Sequence, residues 1–211
     1  MPHIAETFRA LHVAGDPTVM INVWDAGSAK MMQKLGAKAL ATSSAAHAYV
    51  LGRTDGGGVT RDEALSHAAD IVAATELPVQ GDFENGFGDS PDDCAQTVRL
   101  AAEVGLAGIC IEDLSYPSFA PYDYDLAVER MRAAADAARG LGHDFVLTAR
   151  ADGVMVGAYN TDEAIRRLQG FEAAGVDCLY APMVPSMAEV KRVCEAVTLP
   201  VNVLAAGKFA A

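Results

Sequence analysis

The chain has 211 residues, 51% of them hydrophobic, which predicts a single full-sized domain over residues 1–211 with a large core. Sixteen basic and 28 acidic residues give a net charge of −12, which argues against a nucleic-acid or anionic-membrane partner because both require basic patches. A small anionic substrate remains compatible, since it needs only a locally positive pocket.

The sequence shows no targeting or membrane signal. No apolar run reaches roughly 18 residues, and no basic-then-apolar segment opens the chain, so a cytoplasmic protein is expected. The four cysteines are widely separated and form no Cys-x-x-Cys pair. Buried free thiols are therefore expected rather than disulfides or a zinc site at Cys94, Cys110, Cys178 and Cys194.

Helix and strand signals alternate along the chain. Helices are predicted at residues 4–14, 28–35, 60–74, 90–104, 125–139, 161–174 and 187–197. Strands are predicted at residues 19–23, 37–42, 108–113, 145–150, 178–183 and 200–204. A further strand begins at Val79 and runs out at Asp82 and Glu84. Residues 51–58, 114–124 and 151–160 are predicted to be loops.

This alternation predicts a parallel sheet covered by helices. Gly36, Gly105 and Gly175 each stop a helix before a strand, and they mark β/α units of about 35 residues, close to the size of one unit of a (β/α)8 barrel. The strands are apolar throughout, as buried parallel strands are. A doubly wound open sheet fits the same pattern, but the absence of Gly-x-Gly-x-x-Gly after the first strand disfavours dinucleotide binding.

Asp82 and Glu84 lie where the third strand ends. Residues two apart share a face of a strand, so the two carboxylates would project side by side and repel each other. A hard cation such as Mg²⁺ would relieve the repulsion, because it prefers carboxylate oxygens and keeps water or substrate oxygens as its other ligands. The alternative is a solvated acidic turn.

Polar residues also follow most of the other strands, which favours an active site at the carboxyl ends of a barrel. The strand ends are Trp24-Asp25, Ser43-Ser44, Asp82-x-Glu84, Glu112-Asp113 and Arg150-x-Asp152. We expect Asp82, Glu84 and Glu112 to surround one Mg²⁺, partly through water, and a 2-oxo acid to chelate it.

Arg150 and the turn after the second strand are candidate anion-binding groups. The planar guanidinium of Arg150 suits a carboxylate or a developing enolate, although an ion pair with Asp152 or Glu112 would explain it equally well. The N–H groups of Ser44 and Ala45, together with the Ser43 hydroxyl, could bind a carboxylate at the start of a helix.

These residues resemble the isocitrate lyase / phosphoenolpyruvate mutase superfamily over nearly the whole chain. The matching motifs are residues 22–29, Thr42-Ser43-Ser44-Ala45, Leu51-Gly52-x-x-Asp55-Gly56, residues 82–88, Gly108-x-x-Ile111-Glu112-Asp113 and residues 148–152. The resemblance implies a (β/α)8 TIM-type barrel, Mg²⁺ and homodimers or homotetramers. It also implies Asp82 as direct metal ligand, Glu84 and Glu112 as ligands through water, Asp55 as an acid on a mobile loop, and Arg150 with Ser43, Ser44 and Ala45 as substrate-binding residues.

The chain departs from that pattern in several places: Ala41 replaces an aromatic residue of the anion-binding turn, and the mutase-type gating loop is not recognisable, which weakens the case for phosphonopyruvate chemistry. Lyases of the superfamily carry a Lys-x-Cys-Gly loop after strand four, whereas residues 114–122 here contain neither Lys nor Cys, so isocitrate or methylisocitrate cleavage itself is not expected. Relatives also continue into an eighth β/α unit and C-terminal helices. Because only seven strands are predicted before Ala211, we expect the natural chain to be longer.

The resulting hypothesis is a Mg²⁺-dependent lyase that cleaves a C–C bond of a small 2-oxo or 2-hydroxy dicarboxylate, by retro-aldol cleavage or decarboxylation through an enolate. Solvent, Tyr116 or Tyr122 would supply the proton that the missing cysteine cannot. One alternative is P–C bond chemistry on phosphonopyruvate, as a mutase or hydrolase. Another is a protein that binds a 2-oxo acid without turning it over.

Overall fold

Strands and helices alternate in a computed structural model that describes residues 3–13 and 15–206. The helices are α1 (Ile4–Arg9), α2 (Ala26–Lys34), α3 (Ser44–Val50), α4 (Arg61–Ala73), α5 (Pro91–Glu103), α6 (Tyr124–Arg139), α7 (Thr161–Ala174) and α8 (Met187–Ala196). The strands are β1 (Met20–Asn22), β2 (Ala39–Ala41), β3 (Val79–Asp82), β4 (Gly108–Glu112), β5 (Leu114–Ser115), β6 (Ala120–Pro121), β7 (Val146–Arg150), β8 (Cys178–Tyr180) and β9 (Val201–Asn202).

Seven of these strands form one parallel, curled sheet in the order β1-β2-β3-β4-β7-β8-β9. Each strand pairs with the next parallel strand along the chain, which is the neighbour order of a (β/α) barrel rather than of a doubly wound sheet. The expected barrel-type fold is thereby confirmed. Within the described residues, β1 and β9 are the two outermost strands of this sheet.

The core lies on both faces of the sheet, so the strands are buried as their apolar sequences predict. One apolar cluster lies among the strands and the surrounding helices. A second, smaller cluster lies at the amino ends of the strands. There Phe8 of α1 groups with Ala39, which begins β2, with Ala107, which precedes β4, and with Val146, which begins β7. Arg9 fixes α1 there through ion pairs of 2.9 Å to Asp144 and 2.6 Å to Asp177.

Most predicted helix boundaries are confirmed because their caps are local. Thr60 and Glu63 form the predicted capping box, and Ser90 caps α5 just before Pro91. The three glycines that follow α2, α5 and α7 have positive φ, as a left-handed helix end requires. One cap was wrong: Asn160, not Thr161, accepts the Glu163 N–H at the start of α7.

Other predictions were wrong where tertiary contacts decide. The first helix ends at Arg9 instead of residue 14, since Thr18 Oγ1 donates to the Leu11 carbonyl and turns the chain toward β1; Ala14 lies outside the described residues. Within the predicted loop 114–124, β5 and β6 form an antiparallel hairpin. Cys94, Cys110 and Cys178 are buried free thiols as expected, but Cys194 is exposed.

No helix within the described ranges is both long enough and apolar enough to cross a bilayer.

Gly108 provides a test of how closely β4 and β7 approach. A Cβ added to Gly108 would lie 2.2 Å from the Val146 carbonyl oxygen, and backbone cannot move aside as a side chain can. We expect Gly108→Ala to lower the free energy of unfolding by about 1–3 kcal/mol, measured by urea denaturation. Gly140→Ala is the matched control, because its Cβ would meet nothing closer than 3.4 Å. Equal unfolding midpoints for the two variants would contradict this close contact.

Candidate active site

Arg150, at the end of β7, is bonded to carboxylates from three places in the chain. Its Nη1 lies 3.1 Å from Asp82 Oδ1 at the end of β3, and its Nη2 lies 3.1 Å from Glu112 Oε2 at the end of β4. Asp152 binds Nη2 at 2.5 Å and Nε at 3.1 Å. The ion-pair interpretation of Arg150 is therefore correct in this structure, and the same pairs bring together the predicted site acids.

Asp82 occupies the turn that was predicted to bind a substrate carboxylate. Its Oδ2 accepts hydrogen bonds of 3.0 Å from both the N–H and the hydroxyl of Ser44, at the start of α3. The Ser43 hydroxyl caps the same helix by accepting the Ala46 N–H at 3.3 Å, with Ala45 between them in the first turn. The turn thus binds a carboxylate, as its N–H groups favour, and the carboxylate is the protein's own.

Glu84 is held in an unusual conformation directly after β3. Its φ of +46° lies in the left-handed region, which a non-glycine residue adopts only where its surroundings enforce it. Glu84 Oε2 accepts the Gly57 N–H at 3.0 Å, whereas Oε1 is buried and has no hydrogen-bond partner in the described residues. Burial raises the pKa of Glu84 to about 7; the Gly57 N–H opposes this shift, and nearby Asp55 and Asp82 add to it.

The pKa of two other acids in the cluster is also raised. Burial raises the pKa of Asp55 and, more strongly, that of Glu112, even though Arg150 favours the ionised form of both. The Tyr116 hydroxyl donates to Glu112 Oε1. With Asp82, Glu84 and Asp152, the cluster contains five carboxyl groups. Among the described residues Arg150 is the only cation paired with any of them, so the cluster has an excess of acidic groups.

The donor set fits a hard divalent cation. All candidate donors are carboxylate oxygens, and the unpartnered Oε1 of Glu84 is a buried polar atom that needs a ligand. Among the described residues, no three Asp, Glu, His or Cys side chains meet at the spacing of direct metal ligands.

A glycine turn covers the acids from the loop after α3. Gly56 and Gly57 have φ of +86° and +82°, and a Cβ on Gly56 would lie 2.4 Å from the Phe119 ring. The rings of Tyr116 and Phe119, in the β5–β6 hairpin, meet edge to face with centroids 5.1 Å apart. Only glycine allows this approach, which brings the Gly57 N–H to Glu84 and places Asp55 beside the cluster.

Several polar residues near the strand ends serve the fold instead. Asp113 accepts hydrogen bonds from the Asp152 N–H at 2.8 Å and from Tyr159 and Arg167. The Tyr122 hydroxyl donates to Asp89 at 2.6 Å, which removes it from the acid cluster. His47 is buried and stacks on the ring of His67, with centroids 4.0 Å apart.

Two residues of the cluster escaped the sequence analysis. Cys110 Sγ lies 3.5 Å from Asp82 Oδ1, inside a strand that was predicted only as core. Tyr180 lies under Arg150, whose guanidinium carbon is 5.2 Å from the ring centroid. The predicted strand 178–183 hid Tyr180 in its interior, whereas β8 ends at this residue; Pro182, which cannot continue a ladder, was the available signal.

The fold and the acid cluster define a barrel enzyme of the lyase/mutase type, and comparison with known proteins agrees. The phosphoenolpyruvate phosphomutase family model matches residues 8–211. The chain is 31% identical to the 2-methylisocitrate lyase of Escherichia coli K12 over 204 residues, which cover 93% of this chain and 68% of the relative. It is 29% identical to an oxaloacetate decarboxylase of Paraburkholderia xenovorans LB400, covering 88% of this chain and 63% of that protein.

A crystal structure from Burkholderia cenocepacia J2315, which carries only the general designation lyase/mutase, superposes with a TM-score of 0.89 at 47% identity, covering 94% of this chain and 71% of that one. The chain belongs to the phosphoenolpyruvate mutase family, within the superfamily that its motifs resemble.

The raised pKa of Glu84 predicts a pH-dependent loss of stability in the metal-free protein. Because the folded pKa of about 7 exceeds the ordinary value of 4.5, folding favours the protonated carboxyl, and its contribution is lost as pH rises from about 4.5 through 7. Relative to wild type, Glu84→Gln should gain up to about 3 kcal/mol of unfolding free energy between pH 5 and pH 8. Urea denaturation in a chelator measures this, with exposed Glu103→Gln as control; parallel pH profiles would contradict it.

Proposed function

We propose that this protein is a Mg²⁺-dependent lyase that cleaves a C–C bond of a small 2-oxo or 2-hydroxy dicarboxylate and leaves an enolate. The single observation that carries the proposal is the excess of carboxyl groups around Arg150, in which the buried Glu84 Oε1 finds no partner in the part of the chain that the structure describes. Such a cluster is costly unless a cation compensates it. The names of the two curated relatives, a lyase and a decarboxylase, support the same class of reaction.

The acids of β3 and β4 would hold the cation. Asp82 would be its direct ligand, while Glu84 and Glu112 would bind through water. When bound, Mg²⁺ supplies Lewis-acid polarisation of the substrate's carboxylate and keto oxygens.

Arg150 would bind the substrate carboxylate and the oxygen on which enolate charge develops. Its guanidinium is planar and already oriented by Asp152, so it need not reorganise during the reaction. Binding of the cation to Asp82 would free the Ser44 N–H and hydroxyl, and with them the turn from Ser43 to Ala45, for a second carboxylate group.

The glycine turn would exclude water from the reacting atoms. Gly57 bonds to Glu84, and Gly56 packs against the hairpin aromatics, so the turn closes the acid cluster on one side. Asp55, on the same loop, would hold a proton or a water at the edge of the site, because burial raises its pKa.

Incubation with Mg²⁺ and a panel of 2-oxo and 2-hydroxy dicarboxylates, followed by NMR, tests the proposal. Release of pyruvate or another 2-oxo acid is expected. Release of inorganic phosphate from phosphonopyruvate, or its conversion to phosphoenolpyruvate, would instead establish P–C chemistry. Thermal stabilisation by ligand plus Mg²⁺ without any turnover would establish a binding protein.

Asp82→Asn should remove both Mg²⁺-dependent thermal stabilisation and turnover, since it removes the proposed direct ligand's charge while keeping its shape. A loss of at least about 100-fold in Mg²⁺ affinity is expected, measured by calorimetry. Asp123→Asn is the matched control, because this exposed residue makes no side-chain cap bond at the start of α6. Unchanged Mg²⁺ affinity in Asp82→Asn would refute the assignment of the metal ligand.

A further inference from the structure

Tyr180 lies in the same row of side chains as the site residues. Glu112 pairs in register with Arg150, and Arg150 pairs in register with Tyr180. Register partners in neighbouring parallel strands project to the same face, so Tyr180 points to the side of the sheet where Arg150 and Glu112 lie. The contact between the Arg150 guanidinium and the Tyr180 ring, at 5.2 Å, is consistent with this direction.

The Tyr180 side chain is only 8% exposed, and no hydrogen bond joins its hydroxyl to another described residue. The hydroxyl is not among the fully buried polar atoms that lack a partner, so it stays accessible to a ligand at the site. Three other tyrosines near the strand ends all donate to carboxylates: Tyr116 to Glu112, Tyr122 to Asp89 and Tyr159 to Asp113. The Tyr180 hydroxyl therefore differs from these three in having no carboxylate to donate to, and it remains available to a ligand beside Arg150. Because we propose that Arg150 binds the substrate, we infer that the substrate accepts this hydrogen bond.

We propose that Tyr180 is the catalytic acid that protonates the enolate carbon after C–C cleavage. This inference rests on the proposed function. In the decarboxylation of a 2-oxo dicarboxylate, the bond between C3 and the leaving carboxylate breaks, and its electron pair forms the enolate. The O–H bond of Tyr180 then breaks, the proton forms the new C3–H bond, and the electron pair remains on the phenolate oxygen until water reprotonates it. No oxidant or reductant is required.

The surroundings of Tyr180 suit this role. Burial raises its pKa and keeps the phenol protonated before the reaction, while Arg150 favours the phenolate that forms. The competing acids are occupied or unsuitable. Tyr116 and Tyr122 already donate to carboxylates, and burial raises the pKa of the Cys110 thiol, whose sulfur faces Asp82 and Arg150. Tyr180 would therefore take over the proton-donor role that the absent Lys-x-Cys-Gly loop has in the lyases that the sequence resembles.

Tyr180→Phe tests the proposal while keeping the ring under Arg150. With Mg²⁺ and oxaloacetate methylated at C3, in D₂O, the wild type should give 2-oxobutanoate deuterated at C3 as a single enantiomer, trapped by immediate reduction of the ketone. In Tyr180→Phe, turnover should fall by about 100-fold or more and the label should be racemic, since solvent would protonate the released enol. Tyr124→Phe, whose hydroxyl lies against Gly170, should retain wild-type rate and stereochemistry.

Unchanged rate and stereochemistry in Tyr180→Phe would overturn the inference, and so would racemisation in Tyr116→Phe alone. If Tyr180→Phe loses rate and stereochemistry while its Mg²⁺ affinity and melting temperature stay close to wild type, the loss is not a structural effect, and the inference is supported.

Oxalate, a planar mimic of the enolate, separates this inference from the proposed function. With Mg²⁺ present, Tyr180→Phe should bind oxalate about tenfold more weakly than wild type, because one hydrogen bond is lost. Equal oxalate affinities would overturn the role of Tyr180 alone. A wild type that turns over none of the dicarboxylates and binds no oxalate would overturn the proposed function itself.

Discussion

The site depends on one guanidinium that several buried carboxylates share. Arg150 holds Asp82, Glu112 and Asp152 within 3.1 Å, and each of these acids comes from a different position at the carboxyl end of the barrel. Burying carboxylates is expensive, and one positive charge cannot compensate so many. Burial raises the pKa of both Glu84 and Glu112, and the neighbouring carboxylates add to the shift.

The backbone around the acids is also arranged for a ligand. Glu84 adopts a left-handed conformation, and Arg130, which is fully buried on α6, holds the turn that follows it by donating to the carbonyls of Asn85 and Gly88. The guanidinium of Arg130 stacks on Tyr122, 4.1 Å from the ring centroid. These contacts explain why Tyr122 is part of the scaffold, whereas Tyr180, with a similar phenol, is left facing the site.

Local signals explain which parts of the fold were predictable. The capping box of Thr60 and Glu63, the Ser90-Pro91 start and the glycine helix ends act within a few residues, so they can be read from the chain directly. The hairpin within residues 114–124 could not, because its two strands are only two residues long each and carry no alternating apolar pattern. The early end of the first helix likewise depends on a hydrogen bond from Thr18.

By itself the sequence determined the alternation of strands and helices and the residue types at the strand ends, which follow from hydrophobic periodicity. The periodicity fitted a barrel and a doubly wound sheet equally, and the strand pairing of the tertiary structure decided for the barrel order. Only the tertiary structure decided how the charges combine: that Asp82 binds the turn at Ser44, that Arg150 pairs with three acids, and that the Tyr180 ring lies beside Arg150. Such pairings depend on which side chains meet across strands far apart in the chain, and no local pattern records that.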